Sequence, residues 1–223
     1  MQTHTREVYQ MINTRDQEEL FKLIADYLEE DIECVAIGGT AMMFQGYKTT
    51  TKDIDLVFKN GKERAIFIKA IEKLGYTQKS LKFIYDEKRL KNKNKPLLYS
   101  RGDERFDLFA KDVFGFEIET EKFVQRNDFI GKKELIISTL SKEYLILLKA
   151  ITNREKDYED IENIVKIEKN IDWNSIIDAA IQKRKQITWI LHDLEETMQK
   201  LKKIIFIKKE HFDKIYAAEE KQK

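Results

Sequence analysis

The segment 35–58, which reads VAIGGTAMMFQGYKTTTKDIDLVF, constrains the fold of this chain more than any other stretch. Its first residues read as an apolar strand that breaks at Gly38-Gly39, and a helix is predicted to begin at Thr40. Glycine lets a backbone turn sharply and approach another group closely. A helix N-terminus presents unpaired N–H groups to an anion. The turn therefore predicts a cradle for phosphate.

A second strand is predicted from Asp53 to Phe58, and it carries Asp53 and Asp55. Two residues apart on a strand place both side chains on the same face. Two carboxylates in an otherwise apolar strand are costly to bury without a cation. A carboxylate pair beside a phosphate cradle suits a metal-bound nucleotide, because Mg²⁺ takes oxygen ligands.

A third carboxylate on a neighbouring strand would complete a site for two metal ions. Asp107, in the predicted strand 105–109, is the best-placed candidate. Sharing a pair of metal ions requires its carboxylate to lie within about 8 Å of those of Asp53 and Asp55.

Composition sets broad limits on the class of protein. The chain has 223 residues, 42% of them apolar, which is enough for a proper core. Its 41 basic and 40 acidic residues nearly cancel, so net charge argues neither for nor against a nucleic-acid partner. Because Cys34 is the single cysteine, a reducing cytoplasm is expected and no disulfide framework can form. No signal peptide or apolar run long enough to span a membrane is visible, so a soluble protein is expected.

The first half of the chain is predicted to mix helices and strands. Thr14 and Gln17 are predicted to form a capping box at the start of the first helix. Asn60-Gly61 predicts a turn into a helix that Gly75 closes. Shorter strands are expected at 116–118, 123–125 and 134–137.

After residue 140 the pattern becomes wholly helical, which predicts a domain boundary there. Ser141 and either Asp172 or Asn174 are predicted N-caps, and 157–168 a further helix. The last helix is predicted to be long, with an apolar stripe from Ile187 to Ile205.

The segment 77–105 carries nine basic residues against four acidic ones. One interpretation is a solvated loop, and the other is a basic flap beside a polyanion, either a triphosphate or an RNA backbone. Other kinds of site find little support. The three histidines are scattered without metal-ligand spacing, and no GxxxxGK[ST] phosphate loop occurs.

Two blocks of the sequence carry a family resemblance. Gly38-Gly39, thirteen further residues and then Asp53-Ile54-Asp55-Leu56 resemble the hG[GS]-x(9–13)-Dh[DE]h signature of the DNA-polymerase-beta-like nucleotidyltransferase superfamily. The second block, LLKAITNREKDYEDI around Lys149, is similar to a helical motif of the AbiEii-like branch of type IV toxin–antitoxin systems. Together the blocks extend the resemblance over residues 30 to 165.

The resemblance implies an α/β (α+β) nucleotidyltransferase fold with a mixed sheet in residues 1–140, followed by a C-terminal helical bundle in 141–223. It implies Mg²⁺, or Mn²⁺, bound by Asp53, Asp55 and Asp107, which would be the catalytic carboxylates, with Asp107 as a possible base. The residues expected to bind the nucleoside triphosphate are Gly38, Gly39, Thr40, Lys48, Thr51, Lys149 and Asp157.

The roles of Lys48 and Asp157 have alternatives. The relatives carry arginine four residues before the first aspartate, where this chain has Thr49, so Lys48 is the nearest available cation. Asp157, with Arg154 and Asp160, could instead brace the helices through ion pairs.

The function implied is transfer of a nucleoside monophosphate from a triphosphate to an acceptor hydroxyl. The acceptor would be RNA, such as tRNA, or a protein. The chain would be the toxin of a pair with a separately encoded antitoxin. Two alternatives stay open: a small-molecule nucleotidyltransferase of the antibiotic-modifying sort, and a catalytically lapsed nucleotide-binding protein of the same fold.

Overall fold

The computed structural model describes residues 12–80, 96–113, 115–118 and 123–220. The chain forms two compact units. The sheet unit comprises 1–111 and 125–139, and the helical unit comprises 112–124 and 140–223. The predicted domain division at residue 140 stays a prediction, and the helical unit includes an earlier segment as well.

The sheet unit is built from three helices and nine strands among its described residues. The helices are α1 (Thr14–Tyr27), α2 (Gly38–Phe44) and α3 (Gly61–Lys73). The strands lying wholly in this unit are β1 (Ile12–Asn13), β2 (Ile32–Ala36), β3 (Thr50–Thr51), β4 (Asp53–Phe58), β5 (Thr77–Lys79), β6 (Leu97–Arg101) and β7 (Glu104–Ala110). Two more belong mostly to it, β10 (Phe123–Ile130) and β11 (Glu134–Leu140).

Seven strands form one mixed sheet in the order β10-β11-β2-β4-β7-β6-β5. β11 runs parallel to β2 and β4 parallel to β7, whereas the pairs β2–β4, β6–β7 and β5–β6 are antiparallel. The predicted mixed sheet is confirmed. The strand with the two aspartates, β4, lies at its centre, hydrogen-bonded on both edges.

One face of β4 and β7 is apolar and packs against α3. Phe67 of α3 lies 5.1 Å from Phe58 and 5.5 Å from Phe106, measured between ring centroids. Tyr76 adds a further edge contact to Phe106 at 5.0 Å. Because side chains alternate along a strand, Asp53 and Asp55 must leave by the opposite face. The apolar contacts thus decide which way the carboxylates point.

The structure corrects two predictions in this unit. The first helix is capped by Asn13, whose side chain accepts from the Asp16 N–H, while the Asp16 side chain accepts from the Asn13 N–H. The predicted pair Thr14 and Gln17 is one residue too late. Part of the predicted loop or flap at 77–105 forms β5, β6 and the start of β7; its residues 81–95 lie outside the described residues.

The helical unit holds five helices among its described residues and a short hairpin. These are α4 (Lys142–Thr152), α5 (Glu155–Ile167), α6 (Trp173–Lys183), α7 (Ile190–Leu201) and α8 (Lys209–Glu220), with β8 (Asp112–Val113) paired to β9 (Phe116–Glu117). α4 packs against α5, α6 and α7, and its residues from Tyr144 to Ala150 are all buried. The predicted caps Ser141 and Asp172 are confirmed. The predicted C-terminal helical bundle is confirmed.

The predicted long last helix is wrong. α7 ends at Leu201, whose carbonyl accepts from the N–H groups of Ile204 and Ile205 in a tightened turn. The run from Ile204 to Ile207 is β-branched and aromatic, which disfavours continuation of a helix. A separate helix, α8, then follows.

Two properties of individual segments complete the description. Among the described residues, no helix combines the length and the apolar character needed to cross a membrane.

Cys34 is buried within β2, and burial raises the pKa of its thiol. The thiol therefore stays protonated and packs as a small apolar group.

Gly131, in the turn between β10 and β11, has no room for a side chain. A Cβ atom there would lie 2.5 Å from the backbone nitrogen of Asp26 and 2.6 Å from the carbonyl carbon of Ala25. Gly131→Ala is therefore expected to lower the free energy of unfolding by about 1–3 kcal/mol, as for other overpacked sites. Urea unfolding followed by circular dichroism measures this.

Gly61→Ala is the matched control, because a Cβ there meets nothing within 4 Å. It lies in the first turn of α3, so alanine should leave stability unchanged or raise it by up to about 1 kcal/mol. Both tryptophans, Trp173 and Trp189, lie in the helical unit, so their fluorescence reports that unit separately. Equal stability losses in the two variants would contradict the packing argument.

Candidate functional site

Four side chains share one face of β4 and β7, and we call this group the carboxylate face: Asp53, Asp55, Arg105 and Asp107. The strands run parallel and in register, with Asp53 opposite Arg105 and Asp55 opposite Asp107. Neighbouring strands lie about 4.8 Å apart, so the register alone brings these residues together. The structure thus gathers the three predicted carboxylates and adds a guanidinium.

Arg105 is the central contact of the carboxylate face. Its Nε and Nη2 atoms donate to the two oxygens of Asp107 at 2.8 and 2.6 Å, a two-pronged pair. The same Nε lies 3.7 Å from Asp53 Oδ1. Because both contacts share one atom, the oxygens of Asp53 and Asp107 lie within the span of about 8 Å that a shared metal pair requires.

Burial and charge act in opposite directions on these groups. Burial raises the pKa of Asp107; the hydrogen bond and charge of Arg105 oppose this, and the negative charge of Asp53 adds to it. Burial also works against the charge on Arg105, but Asp107, Asp53 and Asp55 outweigh it and raise its pKa. The Asp107 side chain is only 11% exposed, against 36% for Asp53. The role of Asp107 as a base stays a prediction.

The Gly-Gly turn holds Asp55 from two sides. The Ile37 N–H donates to the Asp55 carbonyl at 3.1 Å, and the Asp55 N–H donates to Thr40 Oγ1 at 3.3 Å. Gly38 has a φ of +56°, and a Cβ there would collide with the Asp55 carboxylate. The glycine thus lets the turn lie directly against this carboxylate.

The other predicted nucleotide-binding residues of this unit surround the same strand. A Cβ on Gly39 would collide with Thr51 Oγ1, and the Thr51 hydroxyl donates to the Asp53 carbonyl at 3.2 Å. Thr40 and Thr51 are buried, so their hydroxyls position the backbone of the two aspartates. Lys48 lies in the connection between α2 and β3 and is half-buried. Their contacts to a triphosphate stay predictions.

The backbone places three carboxylates where a divalent metal ion could bind, but the side chains are not arranged as metal ligands. Three oxygen donors on one face suit Mg²⁺ in kind, and the register brings them close. Yet within the described ranges no group of three or more His, Cys, Asp or Glu side chains is arranged to hold a metal. The difference lies in Arg105, which takes both oxygens of Asp107. Binding of Mg²⁺ by Asp53, Asp55 and Asp107 stays a prediction.

The remaining predicted site residues, Lys149 and Asp157, lie in the helical unit. Lys149 Nζ is 3.2 Å from Asp157 Oδ1 and 2.6 Å from Asp160 Oδ2. All three side chains are about 6–7% exposed. Thr152 and Arg154 donate to the other Asp157 oxygen. The structure thus forms the ion-pair brace that the sequence left as an alternative, and contact of Lys149 with phosphates stays a prediction.

Sequence reasoning missed Arg105 as a member of the site. In the sequence, Arg105 is one of the nine basic residues of the segment 77–105. The signal was its spacing, because Arg105 precedes Asp107 by two residues and so shares its face. Its nearness to Asp53 depends on strand register, which spacing alone does not give.

One family model matches most of the chain. A family model described as a nucleotidyltransferase of unknown function, DUF6036, matches residues 15–216. No curated protein matches the chain.

Solved structures with some similarity include the antibiotic-resistance factor ANT(2'')-Ia in solution, at 17% identity and a TM-score of 0.46, covering 70% of this chain and 85% of that one. A crystal structure of ANT(2'')-Ia with adenylyl-2''-tobramycin has 17% identity and a TM-score of 0.42, covering 67% and 88%. A protein from H. pylori, described as a nucleotidyltransferase, has 13% identity and a TM-score of 0.44, covering 92% of each chain.

The close approach of Gly38 to Asp55 can be measured separately from its backbone strain. Gly38 and Gly102 have nearly equal φ values, +56° and +57°, but a Cβ on Gly102 meets nothing within 4 Å. Alanine at either position should cost about 1–2 kcal/mol for the left-handed backbone. Gly38→Ala should lose a further amount of about 1–3 kcal/mol, because Asp55 must move. Urea unfolding of the two variants gives the difference, and equal losses would count against the close approach.

The buried brace around Lys149 predicts a large stability effect. Lys149→Met would remove the buried cation shared by Asp157 and Asp160 and leave Asp157 with Arg154 as its cation, which is expected to cost about 3–5 kcal/mol. Arg154→Gln is the control, because the Arg154 side chain is 70% exposed and Lys149 remains, so its loss should stay below about 1 kcal/mol. Tryptophan fluorescence during urea unfolding follows both variants.

The same brace predicts a pH dependence. Burial opposes ionisation of Asp157, but its contacts with Arg154, Lys149 and Thr152 outweigh burial and lower its pKa. Its contribution to stability is therefore complete above the unfolded value of about 3.9 and is lost as pH falls through the lower folded value. In Lys149→Met this contribution should be reduced, so a wild-type acid dependence in that variant would contradict the brace.

Proposed function

Because the chain belongs to the DUF6036 family of nucleotidyltransferases, we propose that it transfers a nucleoside monophosphate from a nucleoside triphosphate to an acceptor hydroxyl. The acceptor oxygen attacks the α-phosphorus, and the bond from that phosphorus to the bridging oxygen breaks, so pyrophosphate leaves. The proposal rests on one observation, the three carboxylates gathered on one face beside a glycine turn.

Asp53, Asp55 and Asp107 would hold Mg²⁺, or Mn²⁺, which supplies charge neutralisation on the phosphate oxygens and activates the attacking hydroxyl. The chain's own residues then divide the remaining tasks. Asp107, whose pKa burial raises, accepts the proton of the acceptor hydroxyl. The turn at Gly38 and Gly39 lies against the triphosphate, and its backbone fixes Asp55 in place.

For the acceptor we propose RNA, with tRNA as the first to test. The support is the basic excess of the segment 77–105, which favours a polyanion over a small molecule. In the described part of this segment, Arg105 is engaged with Asp107 and Arg101 with Glu104. The attraction to RNA is therefore assigned to Lys79 and to residues 81–95, which lie outside the described residues.

We also propose, from the resemblance to the AbiEii-like branch, that the chain is the toxin of a toxin–antitoxin pair. Its expression should then arrest growth, and a separately encoded neighbouring protein should relieve the arrest. Growth arrest that persists in Asp53→Asn would separate any toxicity from nucleotide transfer.

The direct experiment uses nucleoside triphosphates labelled at the α-phosphate, with Mg²⁺ and purified tRNA, total RNA or total protein. We expect label on RNA, lost when the metal is chelated and reduced by at least about 100-fold in Asp53→Asn. Asp213→Asn is the matched control, because Asp213 lies on α8 in the helical unit with a side chain 54% exposed, and it should leave transfer unchanged.

The other outcomes distinguish the alternatives. Label on protein, or on a small hydroxyl compound such as an aminoglycoside, would support nucleotidyl transfer but show that RNA is not the acceptor. If the protein binds nucleotide but transfers label to no acceptor, the proposed enzymatic activity is wrong. A nucleotide-binding protein of the same fold that has lost catalysis is then favoured.

A further inference from the structure

Arg105 holds the position on the carboxylate face where a positive charge is most needed. It is directly opposite Asp53 in register and two residues from Asp107 on its own strand. Its guanidinium reaches both, at 3.7 Å from Asp53 Oδ1 and 2.6 Å from Asp107 Oδ2. The geometry is that of one cation shared between two carboxylates.

The need for that cation follows from the charges on this face. Three carboxylates on adjacent positions of two strands repel one another, and one of them is nearly buried. An unpaired buried charge is strongly unfavourable. Arg105 neutralises part of this charge with a fork that matches a carboxylate.

We propose that Arg105 is the resident counter-cation of the carboxylate face, and that its guanidinium competes with a divalent metal ion for Asp107 and Asp53. The inference rests on the proposed function, since it assumes the same three carboxylates as metal ligands. It assigns Arg105 a positioning role that acts through the two aspartates.

Competition of this kind couples the metal to the nucleotide. With no phosphate present, release of Arg105 leaves its guanidinium without a carboxylate partner, so a metal ion alone binds weakly. A triphosphate offers the guanidinium a new anionic partner, and the carboxylates become available to the metal. Each ligand therefore strengthens binding of the other by the same factor.

The structure lets the side chain move while the backbone stays. β7 is an interior strand, and Arg105 lies between Asp53 on β4 and Ser100 on β6. Its side chain is nevertheless 28% exposed, more than twice the exposure of the Asp107 side chain it holds. The guanidinium can therefore swing toward solvent without any change in strand pairing.

The test measures Mn²⁺ binding to the full-length protein by electron paramagnetic resonance of the free ion, with and without a non-hydrolysable nucleoside triphosphate analogue whose own Mn²⁺ binding, measured without protein, is subtracted. Arg105→Gln should bind Mn²⁺ alone about tenfold or more tightly than the wild type, since the competing charge is gone. The analogue should strengthen Mn²⁺ binding in the wild type more than in Arg105→Gln. Arg105→Lys, which keeps a charge without the fork, should fall between them.

Arg126→Gln is the matched control. Arg126 pairs with Asp128 two residues on along β10, at 2.7 Å, which repeats the spacing of Arg105 and Asp107 away from the carboxylate face. Its removal should leave Mn²⁺ affinity unchanged. Adding Asp53→Asn to Arg105→Gln should abolish the gain, and circular dichroism confirms that each variant is folded.

Two results would overturn the proposal. Mn²⁺ affinity that is equal or lower in folded Arg105→Gln, while Asp53→Asn still weakens it, means that Arg105 does not compete; the proposed metal site then stands. If no variant binds Mn²⁺ even with the analogue, the metal site itself fails, and this inference and the metal-dependent mechanism fall together.

Discussion

The parallel, in-register pairing of β4 with β7 is the constraint on which the rest of the sheet unit depends. It sets Asp53 beside Arg105 and Asp55 beside Asp107, all on one face. The other face is occupied by the aromatic contacts of Phe58 and Phe106 with α3. A shift of one residue in register would move a whole set of side chains to the wrong face. Apolar packing on one side of the sheet thereby holds the charged arrangement on the other.

The glycine turn also fixes the position of the Asp55 carboxylate. Asp55 is fixed through its backbone, by hydrogen bonds to Ile37 and Thr40, and its side chain lies against a residue that has no Cβ. Thr51 holds the Asp53 carbonyl in the same way. Groups fixed by backbone contacts need little reorganisation when a ligand arrives, which is how a site becomes preorganised. The buried hydroxyls of Thr40 and Thr51 thus hold the backbone of the two aspartates in place.

Local patterns in the sequence predicted the local parts of this arrangement. The two-residue spacing of Asp53 and Asp55, and the caps Ser141 and Asp172, follow from rules that act over a few residues, and the structure has them. The sequence predicted that Asp107 lies on a neighbouring strand, but it could not supply the register between the two strands. Arg105 entered only the basic excess of the segment 77–105, because its contact with Asp53 joins β7 to β4. The end of α7 was missed for another reason, since the apolar spacing continued into residues that do not favour a helix.

The cation–carboxylate groups around Lys149 and around Arg105 differ in a way that bears on their roles. Lys149 and both of its aspartates are at most 7% exposed, and Asp157 has further partners in Thr152 and Arg154. Such a group braces the helices, because removal of Lys149 would leave two buried carboxylates without its charge. Arg105 has the opposite setting, with a side chain 28% exposed above a single tightly held carboxylate. A guanidinium that can reach solvent can be exchanged for another cation, which is what the proposed competition with a metal ion requires.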